Sequence, residues 1–137
     1  MAEGSLYWRV AARAQFRCEY CLAPQIEFNM RFELEHIVPR SLGGLTFFGN
    51  LALACRSCNA AKADRVAAVD PTTHERVWIF NPRVSQWDDH FAIDPRTGRI
   101  LGKTAIGRAT RAQLKLDSME QQIARQVWIL KGLIQAP

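Results

Sequence analysis

The sequence predicts an α+β fold in two parts, a compact core over residues 1–70 and an extension of β-hairpin and helices over 71–137. Three observations carry that expectation. Two CxxC pairs, Cys18-Glu19-Tyr20-Cys21 and Cys55-Arg56-Ser57-Cys58, bracket the middle of the core. Between them, two short apolar runs of strand composition flank a glycine-rich loop, and an alanine-rich helical run follows the second pair. Beyond Asp70-Pro71 the pattern changes to short strands, a turn and one long amphipathic stretch.

Taken in order, Ser5 is an N-cap residue and Leu6, Val10 and Ala14 share one face, so residues 6–16 read as a short helix. Phe32, Leu34 and Ile37 lie in a strand-like run stopped by Pro39, and Ser41-Leu42-Gly43-Gly44 through Gly49 reads as a loop. Leu51-Ala52-Leu53-Ala54 is a short apolar strand. Asn59 to Val69 reads as a helix that must finish near Asp70-Pro71. Val77–Phe80 and Phe91–Ile93 read as strands, and residues 94–98 as a turn that lets 99–101 return as a hairpin arm. Ser118 with Gln121 forms a capping-box pattern. Met119, Ile123, Val127, Leu130 and Ile134 then make a continuous apolar stripe, and Trp128, Ile129 and Leu133 add apolar surface on another side, which predicts a helix packed on two sides, within the chain or against a second copy.

With 137 residues, 48% hydrophobic and 23% charged, the chain has the composition of a globular domain with a modest core. The four cysteines in two CxxC pairs supply the soft tetrahedral ligand set of a structural zinc site. Two disulfides in a secreted domain are the other use open to them. Met1 to Ser5 has neither a basic start nor an apolar run, and no stretch is long enough to span a bilayer, so the expected setting is cytoplasmic and the expected ligand is metal.

Thirty-three residues separate Cys21 from Cys55, more than a simple zinc module of roughly 12–20 needs. That gap holds Glu35-His36, the run Pro39-Arg40-Ser41-Leu42-Gly43-Gly44 and Asn50, and Asn59 follows the last cysteine. From about Val10 to Arg65 this order resembles the HNH endonucleases, whose strand-loop-strand-helix unit is the ββα-metal fold, and in particular the subgroup with a zinc held by two CxxC pairs. The resemblance implies His36 as general base, Asn50 as the brace of the loop, Asn59 as the third motif residue, and Glu35 with Asn59 as ligands of a catalytic divalent ion. Glu stands where the family more often has Asp, and Asn where it often has His; both still offer an oxygen.

The chemistry is coherent in itself. Phosphodiester hydrolysis needs an activated water and stabilisation of charge on the phosphate and leaving oxygen. An imidazole is neutral yet basic near pH 7, and hard oxygen donors favour Mg²⁺ or Mn²⁺ over a second zinc. Because adjacent strand residues face opposite sides, Glu35 and His36 are expected to meet one ion only through an irregular strand end before Pro39. His74 and His90 are assigned to solvent and to packing.

The formal charge of +5 favours an anionic partner. Arg96, Arg99, Lys103, Arg108, Arg111 and Lys115 fall in a segment without acidic residues, and Arg9, Arg13 and Arg17 recur every four positions, so both groups are expected to contact phosphate, with Arg40 and Lys62 beside the site. A second, looser resemblance joins Asn81-Pro82-Arg83, Trp87, His90-Phe91 and Gly107-Arg108-Ala109-Thr110 to an extension in some bacterial HNH proteins. The expected partner is DNA, with RNA as the other nucleic acid open to it and a homodimer through the C-terminal helix as a further expectation. The competing expectation is a noncatalytic zinc-stapled module that binds DNA or RNA.

Overall fold

A computed structural model describes residues 2–135, and its contacts divide the chain into two compact units, one through Val66 and one from Ala67 onward. In the first, α1 (Ala2–Arg13) buries Tyr7, Val10 and Ala11. It begins ahead of Ser5, the expected cap. Gln15 and Phe16, both with φ of 56°, reverse the chain, and an Arg17–Pro24 bridge closes the turn that carries Cys18 and Cys21.

Strand β1 (Glu33–His36) pairs antiparallel with β2 (Leu51–Ala54), from Glu33 opposite Ala54 to His36 opposite Leu51. All four β2 residues are buried, which explains an apolar run without alternation. The pairing stays regular through His36, and the Ile37 amide continues it to the Asn50 carbonyl at 2.9 Å, so the irregular strand end expected from the sequence does not occur. Helix α2 (Arg56–Lys62) starts at Cys55, whose sulfur accepts the Cys58 amide at 3.4 Å. It ends seven residues earlier than expected, because Ala63 turns to a φ of 52° and Ala67–Val69 is a strand.

The second unit opens with that strand, β3 (Ala67–Val69), paired with β4 (Arg76–Trp78). His74, with φ of 64°, lies in the exposed turn between them. A single turn, α3 (Trp87–His90), leads into a hairpin of β5 (Phe91–Ile93) and β6 (Ile100–Gly102). The basic tract then forms a helix unforeseen in the sequence, α4 (Ala105–Leu114), capped by Thr104. Phe80 packs edge-on to Phe91 at 5.4 Å in a core with Ile100, Leu114 and Leu116. The Gly-Arg-Ala-Thr tract is architectural: a Cβ at Gly107 would lie 2.1 Å from the His90 carbonyl oxygen, and Thr110 accepts the Phe80 amide at 2.8 Å. His90 serves packing as expected, its Nδ1 2.6 Å from the Thr104 hydroxyl.

Helix α5 (Met119–Leu130) has the expected Ser118 cap, and of the two apolar sides expected to pack, the one carrying Trp128 is buried. Met119, Ile123, Val127 and Leu130 are exposed, and only Ile134 of the expected stripe is buried. The face turned inward carries Trp128 and a fully buried Arg125, which donates to the carbonyls of Gly98 and Leu116 and pairs with Asp117. The buried guanidinium is compensated by those carbonyls and by Asp117, as a buried charge must be.

Asp70 is buried and takes Arg108 bidentately at 3.0 and 2.9 Å. Those bonds hold its carboxyl well below the usual carboxylate range. A carboxyl whose pKa falls on folding adds stability above its unfolded value and loses it as pH drops toward the folded one. The melting temperature should therefore decline below about pH 4. Asp70→Asn should melt lower than wild type at pH 7 with a shallower acid limb, and thermal melts across pH 2–7 giving an unchanged limb would count against this pairing.

Candidate active site and metal centre

The sulfurs of Cys18, Cys21, Cys55 and Cys58 lie within 4.8 Å of one another, and all four residues are buried. Cys21 and Cys55 are 3.6 Å apart, far beyond a disulfide of about 2.05 Å. Thiolates around zinc at about 2.3 Å stand roughly 3.8 Å from each other, so the cluster has the dimensions and the donor set of a closed structural zinc site. The cluster joins the turn before β1 to the cap of α2.

Strand alternation then sorts the acidic residues from the imidazole. Glu33 and Glu35 turn toward α2. Glu35 is only 2% exposed, accepting the Tyr20 hydroxyl on one oxygen and the Lys62 ammonium on the other at 2.8 Å. Lys62, 1% exposed, spends its remaining donors on the carbonyls of Ile37 at 3.0 Å and His36 at 3.4 Å. Burial raises the Glu35 carboxyl pKa, and Lys62 opposes that shift. Burial likewise keeps Tyr20 a phenol donor. Lys62 therefore ties α2 to β1 and is not at the surface to receive a phosphate, as the sequence had suggested.

His36 faces the other way, toward the loop between the strands. Its Nε2 is 2.7 Å from the Thr46 hydroxyl, which also accepts Arg40 at 3.1 Å. Partial burial, then Arg40 and Lys62, hold the imidazole pKa below its ordinary value. The loop is braced by Asn50, which accepts the Val38 amide at 3.0 Å and donates to the carbonyls of Val38 at 3.0 Å and Leu45 at 2.9 Å. The paired glycines have separate causes: Gly43 takes a φ of 87°, and a Cβ on Gly44 would lie 1.7 Å from the Val38 oxygen. On the far side, Arg13 donates to the Phe48 carbonyl at 2.8 Å, and Arg9 and Arg13 cover the Phe48 ring.

His36, Arg40 and Asn50 are thus brought to one loop, together with Thr46, which no pattern in the sequence announces. Glu35 and Asn59 are not brought together. Asn59 meets Glu33, and both Glu35 oxygens are engaged, so the pair as arranged does not fit a divalent ion. Strand period alone could have found Glu33, two residues from Glu35 on the same face.

Three of the six basic residues of the tract are paired with acids outside it. Arg108 is held by Asp70, Arg99 and Arg111 share Asp117, and Lys103 donates to the Asp88 carbonyl at 2.7 Å. Arg96, Arg99, Lys103 and Lys115 are exposed. Among the described residues no helix is long and apolar enough to cross a membrane.

Residues 18–65, about a third of the chain, match the family model of the HNH endonuclease, and both CxxC pairs, β1, the loop, β2 and α2 lie inside the match. Comparison with curated proteins and with solved structures gives no match.

Purified protein should carry one zinc per chain by elemental analysis, and a strong chelator should unfold it cooperatively, since metal binding is folding free energy in so small a core. Retained structure after complete zinc removal would refute this. Lys62→Met should cost about 3–5 kcal/mol in denaturant unfolding by stranding Glu35, and adding Glu35→Gln should recover much of that. Additive losses would show that the two side chains act separately.

Proposed function

We propose that the HNH segment makes this chain an endonuclease that hydrolyses DNA phosphodiester bonds, with His36 as the general base. The observation that carries the reading is the imidazole on a braced, partly open loop, beside Arg40 and inside the zinc-stapled strand-loop-strand-helix unit. His36 would take a proton from water as the water attacks phosphorus, and the bond from phosphorus to the 3′ oxygen would break, leaving a 5′-phosphate and a 3′-hydroxyl. Its lowered pKa keeps the ring neutral at pH 7, the state a base requires. Arg40 would lie against the phosphate, a charge-assisted contact suited to its fork of donors. Mg²⁺ or Mn²⁺ belongs to the reading by family resemblance; Glu35 in its ion pair with Lys62 supplies no ligand for it.

That ion pair favours a second reading, a zinc-stapled module that binds nucleic acid without cutting it. Plasmid cleavage with and without Mg²⁺ or Mn²⁺ separates the two. His36→Ala should lower the cleavage rate on the order of 10²–10⁴-fold while leaving DNA affinity nearly unchanged. A variant that cuts as fast as wild type would remove His36 from the role, and binding without cleavage by wild type under all ions would leave the binding module.

A further inference from the structure

We propose that two copies of this chain associate through the outer face of α5, antiparallel and related by a two-fold axis at the level of residue 125. On that face Met119, Ile123, Val127 and Leu130 are 66, 55, 41 and 87% exposed. A helix turns about 100° per residue, so these four side chains fall in one stripe about 80° wide. The helix is not free to roll and bury it. Arg125 and Trp128 are fixed on the opposite side, the guanidinium by the carbonyls of Gly98 and Leu116 and by Asp117. Gln122 and Gln126 tie one edge of the helix to the carbonyls of Asp117 and Thr97, each at 2.9 Å.

The occupant follows from the order of residues along the stripe, which is its own complement. Met119 and Leu130 are eleven residues apart, about three helical turns, and so are the exposed Glu120 and Lys131 on one flank of the stripe. Turning a second helix end for end about the middle of the stripe sets Met119 against Leu130 of the second copy and Ile123 against its Val127. The same operation brings Glu120 against Lys131 of the second copy. Each contact then occurs twice, as a two-fold interface requires. A parallel pairing would bring like charges level and align the helix dipoles, whereas the antiparallel one opposes the dipoles and closes two ion pairs at the rim. The four side chains expose about 450 Å² of apolar surface per copy, within the size range of functional patches. Two copies would remove roughly 900 Å², and the rim raises this toward the lower bound of about 1,200 Å² for specific pairs, so the dimer is reversible, with a Kd on the order of 10 µM.

The test is sedimentation equilibrium of the full-length, zinc-loaded chain from about 1 to about 300 µM, a range that spans this constant. The mass should rise from the 15.5 kDa of one chain toward twice that value. Ile123→Gln combined with Leu130→Gln should weaken association at least about tenfold. Its melt in dilute solution should stay that of wild type, because both side chains are exposed in the single chain. Glu120→Lys alone and Lys131→Glu alone should each weaken association roughly threefold to tenfold, and the two on one chain should restore it, a rescue that only an end-for-end pairing of these residues gives. A mass of one chain at every concentration would overturn the proposal; if hydrogen exchange along α5 then slowed only on adding plasmid DNA, the face would belong to nucleic acid. A dimer that the double glutamine variant leaves intact, or charge changes whose losses add without rescue, would overturn it equally.

Discussion

Four sulfurs drawn within 4.8 Å of one another hold two turns that lie 33 residues apart in sequence, and the geometry of the first unit follows from that closure. Cys18 and Cys21 sit on the turn that α1 feeds, while Cys55 and Cys58 form the first turn of α2. Fixing both sets the strand pair between them and points α2 back across β1. Apolar burial alone would struggle to do this in about 65 residues, where the surface removed from water is small relative to the chain entropy lost. A metal ion on the four sulfurs would replace core volume with coordinate bonds.

Once α2 is aimed at β1, the two-residue period of the strand divides labour between its faces. One face takes the acidic residues inward, where Lys62 satisfies Glu35 and two backbone carbonyls with three donors. The opposite face delivers His36 to a loop that solvent reaches. A buried ion pair of this kind adds little net stability over an apolar pair of the same size, yet is costly to break on one side only. Its value lies in registration: the ammonium reads the positions of residues 35, 36 and 37 together, and so sets the strand end from which His36 projects.

Much of this could be seen in the sequence, and the failures share a cause. The cysteine spacing, the glycine loop and Asn50 were legible because each depends on local geometry or on a fixed donor set. Helix α2 was overextended because alanine content speaks for helix while the turn at Ala63 and the pairing of Ala67 with Trp78 are set by contacts distant in sequence. On helix α5 the two apolar sides are legible, but hydrophobic periodicity cannot tell which of them the unit buries, nor anticipate that Arg125 is enclosed by carbonyls of Gly98 and Leu116. The counter-charges of half the basic tract were not legible for a related reason: Asp70 and Asp117 lie outside it in sequence and beside it in space. Thr46 carries no signal of its own, since a threonine in a loop is ordinary until a histidine is found 2.7 Å away.

The Asn50 side chain reproduces with Val38 the two-point amide pairing of an antiparallel strand, accepting its N–H and donating to its C=O, each at 3.0 Å. Val38 is thereby protected although it lies beyond the end of β1. Its amide hydrogen can exchange with solvent only when Asn50 swings away, and that motion also releases Leu45. Opening of the loop and fraying of the sheet are thus a single cooperative event, so the segment that follows His36 behaves as an extension of the rigid strand pair and not as an independently hinged flap.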